Sequence, residues 1–463
     1  MMRRLFFATI LLCLPLAAVA EQDLLDIYEL AVRQDPDLAS ARAGSGAADA
    51  RYRQARGQLL PNLSGTANFS KQKSIDKSNN NTPLFGGGGG AATNTNFPDF
   101  EDQQALRLSL RQPLFNWSAF QAKDAASARS EGAQSDFQAA DQSLIVRTSQ
   151  RYFDVLAAGE RLAGAEEQLK LVNGQLDRAN ASYESGLAPI TDKLEAQSEA
   201  DRIRVDAIDA RNQLKRARVA LRQLIGRTPD QLATVAAIEP EPQTVDADRW
   251  VEIGLQTSPT VAAADARLKA AQQDIGSARG GHYPTLDFVA AIGETEQSFN
   301  FAGSVQTTIT ETQSFGLELT VPLFAGFTVT AEVDEAQYLA QQARQDLIAA
   351  QRQVNLDVRT AHGDFEAAGE RIKALDAAIR SGEAAAEAAK AGLQTGTRNI
   401  LDVLQADIDL VQRKLDLKQA WYDYLIAGLQ LKQASGVLKV QDLQRVNTRL
   451  QPATKKPDSD SAS

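Results

Sequence analysis

Leu106-Arg107-Leu108-Ser109-Leu110-Arg111-Gln112-Pro113-Leu114-Phe115 alternates apolar and polar side chains, and 209 residues later Phe315-Gly316-Leu317-Glu318-Leu319-Thr320-Val321-Pro322-Leu323-Phe324 alternates again and closes on the same Pro-Leu-Phe. Period-two alternation marks a strand with one apolar and one polar face. Each stretch has an upstream partner. In the first, Leu63, Gly65, Ala67 and Phe69 interleave with Asn62, Ser64, Thr66, Asn68 and Ser70; in the second, Leu286, Phe288, Ala290 and Ile292 do the same. Each run is about the ten residues that a tilted strand needs to cross a bilayer. Four strands cannot close a barrel, and an open edge in lipid leaves backbone groups unpaired. The pattern therefore predicts an oligomer: two chains would give eight strands and a filled interior, three would give twelve and room for a water-filled lumen.

The whole chain is duplicated. Asp35-Pro36-Asp37-Leu38 matches Ser258-Pro259-Thr260-Val261, Ala55-Arg56-Gly57 matches Ala278-Arg279-Gly280, and Leu60-Pro61-Asn62-Leu63 matches Tyr283-Pro284-Thr285-Leu286, all at an offset of 223. Val146-Arg147-Thr148 matches Val358-Arg359-Thr360 at 212; Gly186 matches Gly396, Asp192 matches Asp402 and Leu224-Ile225-Gly226 matches Ala434-Ser435-Gly436, all at 210. Shared Pro and Gly punctuation in a constant order is the mark of an internal repeat, which chance similarity between Ala-rich helices does not supply.

No proline occurs between Pro113 and Pro189 or between Pro322 and Pro452. These Ala-, Gln-, Arg- and Glu-rich tracts predict one helix from about Trp117 to Glu184 and its counterpart from about Thr328 to Gln394. At 1.5 Å per residue each is roughly 100 Å long, more than a globular domain needs. Val155, Leu162, Leu169, Leu176 and Tyr183 recur every seven residues, with Ala158, Ala165, Val172 and Ala179 between them. Phe365, Ile372, Ile379, Ala386 and Leu393 repeat this, flanked by Ala368, Leu375, Gly382 and Ala389. Heptads with small residues describe a close coiled-coil seam.

Composition and the N-terminus set the class. The 463 residues include two His and one Cys, too few for a Cys/His metal centre or a disulfide framework. A net charge of −10 and a pI near 5.0 argue against nucleic acid as a partner. Arg3-Arg4, the apolar run from Leu5 to Leu16 and Ala18-Val19-Ala20 read as a secretory signal peptide over 1–20. Cys13 lies inside it after Leu11-Leu12 and is no lipidation site, because such sites have a small residue before the Cys. Removing this segment leaves 47 basic against 59 acidic residues, a net of −12. No later stretch has the 18 apolar residues of a membrane helix, which leaves a β-barrel as the route into a membrane. His282 and His362 have no nucleophile or carboxylate partner at a motif spacing, and Gly86 to Gly90 lacks the Lys-Ser/Thr of a phosphate loop, so no enzyme and no cofactor are expected.

Two turn sequences carry a family resemblance. They are Tyr183-Glu184-Ser185-Gly186-Leu187-Ala188-Pro189-Ile190-Thr191-Asp192 and Leu393-Gln394-Thr395-Gly396-Thr397-Arg398-Asn399-Ile400-Leu401-Asp402-Val403-Leu404. With the paired Pro-Leu-Phe motifs they make the chain similar, over nearly its whole mature length, to the TolC-type outer-membrane efflux family, the channel-tunnels. The resemblance implies an α+β fold. Its homotrimer would share a 12-stranded β-barrel in outer-membrane lipid and carry a long antiparallel coiled-coil helical barrel in the periplasm. The implied organisation is a signal peptide (1–20), a first repeat (21–226), an equatorial linker (227–247) containing Pro229, Pro240 and Pro242, a second repeat (248–436), and an equatorial C-terminal segment (437–463) whose polar tail from Pro452 is disordered. The function implied is an exit duct for efflux or type I secretion. It would dock with a periplasmic adaptor (membrane fusion) protein and an inner-membrane pump of the resistance-nodulation-division or ABC type. A periplasmic coiled-coil adaptor without a pore is the alternative; it has no use for four amphipathic strands. The Asn79–Gly90 loop is expected to face the outside and the segment near Phe301-Ala302-Gly303 to form the second loop.

On the residues alone, Gly186 and Gly396 end the long helices in left-handed backbone, Pro189 starts the returning helix, and Asp192 and Asp402 complement helix N-terminal dipoles. The resemblance adds that Thr191, Asp192 and Arg398 form an inter-helix gate, that Asp402 contributes a carboxylate ring, and that Gly186, Leu187, Gly396 and Thr397 lie in the adaptor-contacting turns. Gln405 stands where a second acidic ring is typical, and Leu393 where a tyrosine is typical. One ring in place of two implies weaker cation block, in a lumen that still attracts cations.

Overall fold

The computed structural model describes residues 22–74, 99–229, 231–240, 245–301, 304–395 and 397–451. The signal segment 1–20, the Asn79–Gly90 loop, Pro242, Ala302-Gly303, Gly396 and the tail from Pro452 lie outside the described residues. In chain order the elements are α1 (Leu24–Gln34), α2 (Pro36–Gly57), β1 (Asn62–Ser74), β2 (Asp99–Phe115), α3 (Trp117–Glu184), α4 (Ile190–Ile225), β3 (Thr234–Val235), α5 (Ala247–Thr257), α6 (Pro259–Arg279), β4 (Thr285–Phe301), β5 (Ser304–Thr320), α7 (Thr328–Gln394), α8 (Ile400–Ala434), α9 (Val440–Asn447) and β6 (Leu450–Gln451). Both long helices have the extent that their proline-free tracts predict. Among the described residues no helix is long and apolar enough to cross a membrane.

The chain divides into two compact units. One, residues 45–133 and 264–347, holds an antiparallel sheet in the order β1-β2-β4-β5. Continuous register aligns its rows: Leu63, Leu110, Ala290 and Phe315 stand side by side on one face, and Thr66, Arg107, Gly293 and Thr312 on the other. Every large apolar side chain that the strands leave exposed belongs to the first face, from Leu63, Phe69, Leu106 and Leu108 to Phe315, Leu317 and Leu319. Exposure of this kind is foreign to a protein in water, where a patch of that size marks an interface.

Two details differ from the sequence expectation. The strands run 13 to 17 residues where about ten were expected, because backbone pairing continues beyond the apolar rows into rows such as Lys71–Asp102–Ser298–Thr307, which alternation does not mark. The two Pro-Leu-Phe motifs also part company. Pro113-Leu114-Phe115 stays in β2, where a register shift between Pro113 and Phe115 brings Phe115 opposite Leu286 and so turns Leu114 and Phe115 to the same apolar face. Proline lacks a ladder donor and is tolerated at such a bulge. In the second half β5 stops at Thr320, and Val321 and Leu323, expected as strand, lie with Phe324 in an irregular stretch that ends in a turn at Gly326, φ 59°, and Phe327, φ 65°.

The other unit, residues 22–44, 134–263 and 348–451, is a helical body around one core. Leu24, Ile27 and Ala31 of α1, Leu144, Ile145, Tyr152 and Phe153 of α3, Leu221 and Ile225 of α4, Leu429 of α8 and Leu443 of α9 are buried together. Phe153 stacks on Tyr422 and Phe365 on Tyr424, with centroids 5.6 and 4.7 Å apart. The linker and the C-terminal segment meet here, as β3 pairs with β6 and Gln22 bridges to Leu232. The heptad seam is tight where it joins this core and loosens along α3: Val155, Ala158, Ala165 and Val172 are buried, Leu176 and Ala179 half-buried, and Tyr183 exposed.

The repeat reaches individual backbone angles. Gly226 caps α4 at φ 75° and its counterpart Gly436 follows α8 at φ 72°. Their surroundings differ. A Cβ on Gly226 would meet only the Gln34 side chain at ordinary contact distance, whereas one on Gly436 would fall 2.5 Å from Ser258 Cα and 2.6 Å from the Thr257 carbonyl. We expect Gly226→Ala to cost about 1 kcal/mol, the left-handed penalty alone, and Gly436→Ala roughly 2–4 kcal/mol, because backbone cannot step aside. Thermal unfolding of the two variants in one detergent tests this, and equal losses would refute the packing argument.

Candidate functional site

The two helix-to-helix turns of the helical unit are the same object built twice. In the first, the Gly186 amide donates to the Tyr183 carbonyl at 3.0 Å and the Leu187 amide to the Ser182 carbonyl at 2.8 Å, with Gly186 at φ 74°. This bond pair is the Schellman ending, which satisfies the last carbonyls of a helix through a left-handed glycine. In the second, the Thr397 amide donates to the Gly392 carbonyl at 2.9 Å, the bond that the 210-residue offset maps from Leu187. Leu187 is 85% exposed in its turn.

The returning helices start differently. Pro189 is the N-cap of α4, one position earlier than a first-turn proline, and supplies no side-chain cap; Asp192 lies in the first turn. At α8 Asp402 does more than complement the helix dipole. The structure shows a reciprocal capping box, in which the Asp402 amide donates to Asn399 Oδ1 at 2.8 Å and the Asn399 amide to Asp402 Oδ2 at 3.1 Å. The Asn-x-x-Asp spacing was the available signal.

The charged residues pair locally. Thr191 donates its hydroxyl to Asp192 at 3.2 Å. Arg398 stands 4.0 Å from Asp402 in its own turn, with its side chain 61% exposed. Its stem lies over Gly392, where a Cβ would fall 2.7 Å from Arg398 Cγ. Within one chain, among the described residues, no bond joins Thr191 or Asp192 to Arg398. Behind the turns, Val172 of α3, Ala200 and Ile203 of α4 and Leu404 and Ile408 of α8 form a buried cluster that fixes where the first turn of α8 sits. Gln405 donates to Asp409 at 2.7 Å.

Nearer the core a cleft of about 430 Å³ is lined by Gln150, Asp154, Asp364, Arg371, Tyr422 and Asp423 among others. Partial desolvation pushes the Asp154 carboxyl, whose side chain is half exposed, up from 3.8, and Asp423 adds to the shift against the pull of Arg151 and Arg161. Burial, together with Asp141, also pushes the Tyr28 phenol up to about 12. His362 is buried, with Nε2 3.2 Å from the Val245 carbonyl, and His282 is exposed in a short 3₁₀ turn. Among the described residues no cluster of His, Cys, Asp and Glu could hold a metal ion.

Comparison with known proteins places these features in a family. The profile of the outer membrane efflux proteins matches residues 27–227 and 250–437. Outer membrane protein TolC of Vibrio cholerae is 30% identical over 441 residues, 95% of this chain and 96% of that one. The alkaline protease secretion protein AprF of Pseudomonas aeruginosa is 27% identical across 91% of this chain and 86% of its own. Among solved structures, the Campylobacter jejuni CmeC outer membrane channel matches with a TM-score of 0.74 over 92% of this chain and 90% of that one, at 17% identity, a likeness of fold.

The shift at Asp154 has a stability consequence with a definite sign. A carboxyl whose folded pKa is raised is penalised once it ionises, so its cost is absent below the ordinary value of 3.8 and grows as pH rises through the folded value. Because the Asp154 side chain is half exposed and also faces Arg151 at 3.7 Å, we expect Asp154→Asn to raise the unfolding temperature only slightly at pH 7 and to lose that gain near pH 3.5; a gain independent of pH would show that desolvation of the charge is not the cause.

Proposed function

The chain belongs to the outer membrane efflux protein family, and on that premise we propose that three copies close one barrel and that their paired helix turns form a gated entrance. It is an outer-membrane exit duct for efflux or secretion. The observation that carries the trimer is the one-faced apolar sheet with two unpaired edges, β1 and β5. Three copies supply the twelve strands that leave an aqueous lumen. Exposed apolar residues on the helices, such as Val205 and Ile208 of α4 and Leu356 of α7, are the surfaces that neighbouring copies would cover. The duct performs no chemistry in this reading. A periplasmic adaptor meets the turns at Gly186, Leu187, Gly396 and Thr397, and an inner-membrane pump, of the resistance-nodulation-division or ABC type, supplies the cargo and the energy.

The gate reading rests on Arg398. Its 4.0 Å separation from Asp402 is a loose in-turn pair, and its exposure leaves the guanidinium free to reach Thr191 and Asp192 of a neighbouring copy. Such a pair is worth about 1 kcal/mol when exposed and up to about 3 kcal/mol when shielded. Repeated around a trimer, it would hold the turns together against the splay of long helices. Asp402, with Gln405 one turn on, forms the single acidic ring. The second reading, that these groups only cap and neutralise their own turns, is favoured by the observed capping box.

Mass measurement in mild detergent should give three times the mature monomer; a monomer that stays soluble without detergent would remove the duct. In planar bilayers Arg398→Ser and Asp192→Ala should open the channel further and more often, whereas Asp402→Ala should lower cation preference. Parent conductance from an intact Arg398→Ser trimer would leave the capping role alone.

A further inference from the structure

The middle of the sheet's polar face carries an unbalanced positive charge, and acidic residues return to that face only beyond it, Asp287 and Glu318 in the row past one end and Glu101 in the row past the other. In the five rows from Asn62–Arg111–Val289–Gly316 to Ser70–Gln103–Gln297–Thr308 this face holds Ser, Thr, Asn, Gln, Gly, Ala and Val, two arginines and no acid. Arg111 is neutralised: its Nη2 lies 2.6 Å from Asp287, and Asp287 is itself paired in register with Glu318. Arg107, two rows further on, is exposed and has no ion-pair partner among the described residues. Its row is Thr66–Arg107–Gly293–Thr312. At Gly293 a Cβ would fall 2.9 Å from the Leu106 carbonyl, so close backbone approach excludes a larger neighbour there, and threonines are the remaining members of the row. The carboxylates next along the strands, Glu294 and Glu311, stand in the Ala67–Leu106 row on the opposite face, with the sheet between them and Arg107.

From this juxtaposition we propose that Arg107 forms a ring of three guanidinium groups inside the barrel, an anion-binding collar that attracts and transiently holds the carboxylate, sulfate or phosphate groups of departing solutes. The proposal rests on the trimeric-duct reading, which turns the apolar face to lipid and the Arg107 face to the lumen. Twelve strands about 4.8 Å apart and tilted about 40° close at a radius of roughly 12 Å. A guanidinium reaching in from that wall comes within about one Debye length, ~8 Å, of the axis, so three of them govern the potential across the whole aperture. Arginine stays charged at any working pH, and its planar fork suits oxyanions. The collar is opposite in sign to the Asp402 ring and to the chain's net charge, so it places an anion site in an otherwise acidic duct.

The test uses purified mature protein in planar bilayers, with 6-sulfated β-cyclodextrin, a ring-shaped polyanion, added to the barrel side and neutral β-cyclodextrin as its control. Addition from the barrel side probes the collar without passage through the periplasmic turns. The sulfated ring should block the parent current, Arg107→Gln should weaken that block at least about tenfold, Arg107→Lys should keep most of it, and the neutral ring should act alike on all three. Equal block of parent and Arg107→Gln channels, or no block of the parent, overturns the collar while leaving the duct standing. Parent protein that forms no channel overturns the duct reading and the collar with it.

Discussion

Inside hydrocarbon the N–H and C=O groups along the outer edges of β1 and β5 have no water to bind, and each left unpaired costs several kcal/mol. Four strands of 13 to 17 residues cannot curl far enough to pair those edges with each other. The exposed apolar face excludes the other escape, which is to leave the edges in water. Copies of the chain must therefore supply each other's missing partner, and oligomerisation becomes part of folding. The same reasoning explains why Leu114 and Phe115 are both turned outward at the bulge: where the strand leaves the lipid zone, the apolar face is extended by a change of register.

The duplication fixes the skeleton and leaves the chemistry free to diverge. The helix endings repeat bond for bond, from Leu187 to Ser182 and from Thr397 to Gly392, because a helix that must reverse in a few residues has few ways to satisfy its last carbonyls. What sits on those endings is not repeated. Tyr183 takes Lys193 over its ring, where its counterpart Leu393 cannot; Pro189 starts one returning helix without a side-chain cap, and Asn399 starts the other with a capping box. Away from the turns, Arg147 is held by Asp35 and Asp37 while its counterpart Arg359 pairs with Asp248. One chain thus presents two non-equivalent turns, and in the proposed trimer three chains would present them alternately around a ring. Contacts between unlike neighbours then become possible that a strict repeat would not offer.

Much of this was legible in the sequence for physical reasons. Proline-free tracts bounded by glycine leave little choice about where long helices begin and end, and Trp117, Glu184, Thr328 and Gln394 are their termini. Period-two alternation marks the strands only where one face is consistently apolar, so the far part of each strand, where polar residues break the apolar rows, does not show in the sequence. The second Pro-Leu-Phe misled because a motif can be copied while its backbone is not. Gly326 and Phe327 adopt left-handed angles that no counterpart in the first half shows among the described residues, and the chain leaves the sheet early. The turns are marked by their glycines, whereas the role of Asn399 depends on a reciprocal bond to Asp402 that the glycine punctuation does not signal. Arg107 does not stand out in the sequence, because parity along one strand tells which face a residue shares, whereas its lack of a counter-charge emerges only when four strands are set in register.

A passive duct spans the barrier that its own membrane exists to maintain, so its resting leak matters as much as its open conductance. A single ring of one charge sign slows co-ions and speeds counter-ions, and so gives selectivity without closure. Two rings of opposite sign in series act differently. With the proposed Asp402 ring and the proposed Arg107 collar in one duct, a small cation would be attracted by one and repelled by the other, and a small anion likewise. A large solute that carries both charges, or a chain long enough to touch both rings, has a favourable contact at each end. In this reading discrimination comes from fixed charges that need no energy input, while choice of cargo stays with the pump. The arrangement also explains why the two arginines of the lumen face are not equivalent. Arg111, tied to a buried Asp287, joins β2 to β4, and Arg107, flanked by glycine and threonine, would be left to face what passes.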